Sequence, residues 1–188
     1  MMIFSAVVYT FLILAIVATS LQKIGREMRM VLLALVGVLV NLPIIYHLSI
    51  VEWIVSFLAT PSVFLGVLAV SSLIVTFYAP KEVLLPPTSK IFIVIFGFVL
   101  YLGSLNLLFG FDLTALNFEY QIVIASIIML FAFVVDKFLG IVYLICFFFF
   151  CLGIGENIFV SMIDVLVWGY AIFGIFLDGA RKKAHQRF

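Results

Sequence analysis

The chain has 188 residues, 67% of them hydrophobic and 10% charged, with a net charge of +1. Soluble domains carry about 45–50% apolar and roughly 25% charged residues. These few charges could not cover a water-facing surface, so a bilayer is the expected solvent. The ten Lys and Arg residues are scattered over short segments. No basic groove for nucleic acid and no Gly-rich phosphate loop for a nucleotide is expected.

A membrane-crossing helix needs about 20 mostly apolar residues, and the chain offers such stretches in series. The first runs over about residues 3–21 and is followed by the basic turn QKIGREMR. With its positive charges after the apolar stretch and no basic region before it, this segment reads as a retained anchor. The second, residues 30–49, contains Asn41 and Pro43, which predict a kink in its outer third. Glu52 and Trp53 mark an interface, and residues 54–78 form the third span. Pro61 falls within it, so the alternative is a short helix over residues 51–60 lying in or dipping from that interface.

The proline-rich segment APKEVLLPPTSK ends the third span, and residues 91–109 form the fourth. From Tyr120 to Ile154 the only charges are Asp136 and Lys137. One helix of that length would reach about 52 Å, against a hydrocarbon core of ~30 Å. A turn at Asp136-Lys137 therefore divides it into spans over residues 120–135 and 138–154. The last span, residues 158–177, leads into a basic tail, residues 178–188.

The expectation is an all-α, polytopic helical bundle forming a single membrane domain over residues 1–188, with seven spans. The alternatives are six spans, or six plus a re-entrant hairpin. In this threading every base falls on one side: Lys23, Arg26, Arg29, Lys81, Lys90, Lys137, Arg181, Lys182, Lys183 and Arg187. Because cytoplasmic loops are enriched in Lys and Arg, the N-terminus is expected outside and the C-terminus in the cytoplasm. The compact loops fit a bacterial inner (plasma) membrane.

The opposite side would carry acids alone. Asp112, Glu119 and Glu156 could line an outer acidic mouth, although acids also tolerate an outer face without any role. Asn41, His47, Glu52, Asn157, Ser161 and Asp164 form the candidate polar cluster. Asp164 lies about 10 Å of helix inside the last span, and intramembrane acids often mark an ion path. Asn157, Ser161, Asp164 and Trp168 would share one stripe of a continuous helix. The structural alternative is an acid bonded to a neighbour such as Asn41 or His47. Trp53, Ser56 and Thr60 predict a second stripe, suited to close helix packing.

A faint echo joins residues 47–58 to 157–168, each with a polar start, an acid and an apolar run. Chance likeness between hydrophobic segments accounts for it. Cys146 and Cys151 are five residues apart, about 140° around a helix, and are expected to be buried thiols rather than a disulfide or metal pair. One histidine and scattered carboxylates make a poor metal site, and no nucleophile motif is present. No cofactor, metal or catalytic residue is assigned, and enzymatic activity is left open, with a non-enzyme favoured. Three functions compete: a small non-catalytic subunit or assembly partner of a larger membrane complex; a proton- or cation-linked transporter using Asp164; and a lipid-modifying enzyme with an outer-face site at His47, Glu52 and Asp164. The expected partners are the lipid bilayer and other membrane protein subunits.

Overall fold

The computed structural model describes residues 2–58, 60–79, 83–107, 112–153 and 157–185. Within them the protein is all-α apart from one small hairpin. Its helices are α1 (Met2–Ser20), α2 (Arg26–Asn41), α3 (Ile50–Phe57), α4 (Val63–Tyr78), α5 (Pro87–Ser104), α6 (Phe118–Val135), α7 (Lys137–Cys151), α8 (Ile158–Met162) and α9 (Val165–His185). Strands β1 (Pro43–Ile45) and β2 (Leu48–Ser49) pair antiparallel, and Leu113–Ala115 forms a 3-10 turn.

Helices α1, α5 and α6 are long and apolar enough to cross a membrane. Helices α4, α7 and most of α9 are apolar but shorter. In α6 only 17% of the residues are buried although nearly all are apolar. A surface of that kind needs lipid or another protein against it.

The chain divides into two compact units. The first comprises residues 1–61 and 65–84, the second residues 62–64 and 85–188. In the first unit α1 packs on α2 and α3, with Val8, Tyr9, Ala18 and Val51 buried. Helix α2 stops at Asn41 instead of kinking through Pro43. The next residues turn back as the β hairpin, whose two turn residues, Tyr46 (φ 51°) and His47 (φ 63°), are both left-handed. Paired positive φ values match the twist of a tight hairpin, and a continuous helix through Ser49 is thereby excluded. Helix α3 then ends at Phe57, as the short-helix alternative anticipated, so Thr60 lies beyond the Trp53–Ser56 stripe.

In the second unit α6 packs against α7 across the break at Asp136, and α5 packs along α9. The α5–α9 seam is reciprocal. A Cβ on Gly97 would lie 2.8 Å from both Ile163 Cδ1 and Trp168 Nε1, so α5 is notched where the Trp168 ring crosses. A Cβ on Gly174 would lie 3.1–3.2 Å from Lys90 Cδ, Cε and Nζ, so α9 is notched where the lysine stem crosses. Trp168 Nε1 donates to Val94 O at 3.1 Å, and Lys90 Nζ meets Asp178 Oδ2 at 2.6 Å.

Helix α9 does not continue from α8: Ile163 and Asp164 interrupt the chain between them. The single last span expected over residues 158–177 is therefore two helices. The stripe through Asn157, Ser161, Asp164 and Trp168 required an unbroken helix and does not form. Segments 47–58 and 157–168 each hold a short helix, α3 and α8. Each is capped and leads through a break into a longer helix.

Candidate functional site at two helix breaks

Asp164 sits at the second break, and its carboxylate serves both interruptions. Oδ1 accepts the Val167 backbone N–H at 2.8 Å, while the Asp164 carbonyl accepts the Trp168 N–H at 2.9 Å. This is the geometry of a helix N-cap, in which a short acceptor side chain satisfies a first-turn donor. Oδ2 accepts the Ser62 backbone N–H at 2.8 Å, just before α4 begins. One carboxylate thus joins two helix starts 102 residues apart in sequence. Negative charge is favoured at such a place because helix N-termini carry partial positive charge. Around it the Tyr101 ring packs on Trp168 at 5.3 Å, and the Tyr101 phenol and Cys146 thiol lie within electrostatic range of the acid.

Asn157 and Ser161, both in the second unit, are engaged in local structure. Asn157 Oδ1 accepts the Phe159 N–H at 2.9 Å, and its Nδ2 donates to Thr114 O at 3.0 Å. Ser161 is buried and donates to Asn157 O at 3.1 Å. Asp112 belongs to the same end of the unit, accepting from the Thr114 N–H and hydroxyl at 2.8 and 2.7 Å. Gln121 donates to Thr114 O and Leu116 O. Glu119 is exposed in the first turn of α6, and Glu156 lies outside the described residues.

Asn41, His47 and Glu52 belong to the first unit. Asn41 donates to Gly37 O at 2.9 Å and to Thr10 Oγ1 at 3.1 Å, a polar link between α2 and α1. His47 is an exposed hairpin turn residue. Glu52 closes a capping box on α3: Ser49 N–H donates to its Oε2 at 2.7 Å, and its own N–H donates to Ser49 Oγ at 3.1 Å. The Ser49 backbone N–H, and secondarily its hydroxyl, hold the Glu52 carboxyl below the usual range. Ser56 Oγ is likewise local, donating to Glu52 O at 2.8 Å. The polar residues grouped from sequence therefore resolve into two sets with separate local bonding. Asp164's acceptors meet Ser62 and Val167.

Ser62 and Asp178 escaped the sequence reading, and Lys90 and Arg29 entered it only as bases that orient the chain. Lys90 and Asp178 had a legible trace: a base within the first turn of an apolar helix, and the only acid in a basic tail. Ser62 and Arg29 act through backbone groups that no residue pattern announces. Of the two cysteines expected to be buried, Cys146 is, but Cys151 is exposed. Among the described residues no group of three His, Cys, Asp or Glu side chains could hold a metal ion. No known protein family, curated protein or solved structure matches the chain.

Proposed function

We propose that the chain is a small multi-pass protein of a bacterial plasma membrane, threaded with its N-terminus outside and its tail in the cytoplasm. Its role is that of a non-catalytic subunit or assembly partner in a larger membrane complex. The observation that carries this reading is the bonding of Asp164. An acid placed within an apolar stretch has both oxygens committed to backbone N–H groups, which is the work of a structural clasp. The sparsely buried α6 supports it too, because such a face suits either lipid or neighbouring helices. The one-sided placement of the bases supports the threading.

Extraction of the native protein in a mild detergent, followed by mass spectrometry, tests the role. Partner chains at fixed stoichiometry are expected. A second reading, a small proton- or cation-linked transporter, draws on the interruption between α8 and α9 at an acid, since discontinuous membrane helices commonly build ion and substrate sites. A solitary chain whose reconstituted vesicles show a cation or proton flux, abolished in Asp164→Asn, would establish that reading over the first.

A further inference from the structure

The turn between α1 and α2 in the first unit gathers three bases, Lys23, Arg26 and Arg29. Arg29 is only 9% exposed. It donates to the backbone carbonyls of Thr76 and Ile24 at 3.1 Å and of Gln22 at 3.5 Å, with its guanidinium 5.3 Å from the Phe77 ring centroid. Arg26, three residues earlier and so on a neighbouring part of the same helix face, lies 5.0 Å over the Tyr78 ring. Two adjacent rings at the end of α4 thus each carry a guanidinium.

Rings and carbonyls orient these cations without cancelling their charge. Lys90 pairs with Asp178, away from this turn. Lys23 and Arg26 are exposed and have neither an acid nor a hydrogen-bond acceptor there, and neighbouring Glu27 pairs with none of the three bases. Arg29 Nε is buried with no hydrogen-bond partner. Helix α2 opens at Gly25 with no side-chain cap, which leaves first-turn N–H groups facing outward. Gly25 and Arg26 are exposed at this helix start, and a Cβ on Gly25 would meet nothing within 4 Å.

We propose that this turn binds the phosphate of an anionic phospholipid headgroup. Lys23, Arg26 and the first-turn N–H groups of α2 hold the phosphate, and Arg29 is the positioning residue that fixes the turn on α4. The lipid source is favoured because the turn directly follows α1, a helix long enough to cross, and so lies at headgroup depth. Exposed Met28, Met30 and Val31 beside it offer apolar contact to an acyl chain. The site requires only membrane residence; its assignment to the inner leaflet rests on the proposed threading.

The full-length protein in mild detergent is loaded with dioleoyl phosphatidylglycerol or dioleoyl phosphatidylcholine and read by native mass spectrometry. Phosphatidylglycerol is expected to be retained preferentially. In Lys23→Gln/Arg26→Gln its retention should fall roughly 30-fold, from the pull of two surface bases, and Lys137→Gln, at an exposed base elsewhere, should retain it normally. If the double variant fails to fold, the exposed single substitution Lys23→Gln should show a smaller loss, roughly fivefold. Equal retention in the Lys23 variants and the parent, equal loss in Lys137→Gln, or displacement of phosphatidylglycerol by millimolar inorganic phosphate would overturn the lipid assignment. Recovery of the protein outside the membrane fraction would instead overturn the membrane reading itself.

Discussion

The two interrupted segments, α3–α4 and α8–α9, follow one plan but stop by opposite chemistry. Between α3 and α4 the chain passes through Pro61, which has no N–H to continue a helix and restricts the residue before it. Between α8 and α9 it passes through Asp164, which supplies an acceptor and starts the next helix anew. A proline break only withholds a donor, whereas an aspartate break actively receives one. The difference matters because Asp164 also takes the Ser62 N–H next to the proline break. The accepting break therefore holds two backbone donors, Val167 N–H and Ser62 N–H.

If that asymmetry is correct, Asp164→Ala should have the largest effect on stability. It removes a cap worth about 0.5–2 kcal/mol and the acceptor of the nearly buried Ser62 N–H, about 1–3 kcal/mol more. Denaturant unfolding in detergent should register a loss of about 1.5–5 kcal/mol. An effect no larger than a single cap would show that the two starts are not joined through the acid.

Asp164→Asn sharpens the point, because its amide has one acceptor oxygen where the carboxylate has two. It should keep the Val167 cap, lose the Ser62 bond and cost about 1–3 kcal/mol by the same unfolding measurement. Asp136 provides the control. It caps α7 through the Leu139 N–H at 2.8 Å, with its carbonyl accepting from Gly140 N–H at 3.0 Å, matching the local half of the Asp164 arrangement. Without a second helix start joined to it, Asp136→Ala should cost only about 1 kcal/mol.

The smallest effect is expected at Glu52. Its folded carboxyl is held below the usual range, so its contribution is present above the ordinary Glu range and is lost as pH falls through the lowered value. Trp53 fluorescence, read in a Trp168→Phe background, should report a slight loosening of α3 in acid. Glu52→Gln can still close the capping box and should abolish that pH response; an unchanged response would place its origin elsewhere.

The parts of the fold readable from the residues were those governed by length and local pattern. The apolar run through Asp136-Lys137 was too long for one crossing, and its charged pair fell where α6 ends and α7 begins. Pro61 likewise raised the alternative of a short helix over residues 51–60, and α3 (Ile50–Phe57) stands there in place of the start of a span over residues 54–78. The β hairpin was not readable, since Tyr46 and His47 are poor candidates for left-handed turn positions and Asn41–Ser49 is apolar enough to pass for helix. Asp164 was singled out, but as a point on a continuous stripe. An aspartate within an apolar run looks alike whether it caps a break or faces a pathway, and its second partner is a backbone N–H, which has no residue signature. Lys90 and Asp178 stand 88 positions apart, so only the folded chain brings them together.

The notches at Gly97 and Gly174 act on the α5–α9 pair as two keys cut in opposite directions. Sliding either helix by one turn, about 5.4 Å, would drive Trp168 onto Ile93 or Tyr101 and Lys90 toward Tyr170 or Asp178 in place of the glycines. Only one axial setting lets both bulky side chains seat at once. The pair is consequently held in one axial register within the second unit, and sliding along the seam is the motion it resists.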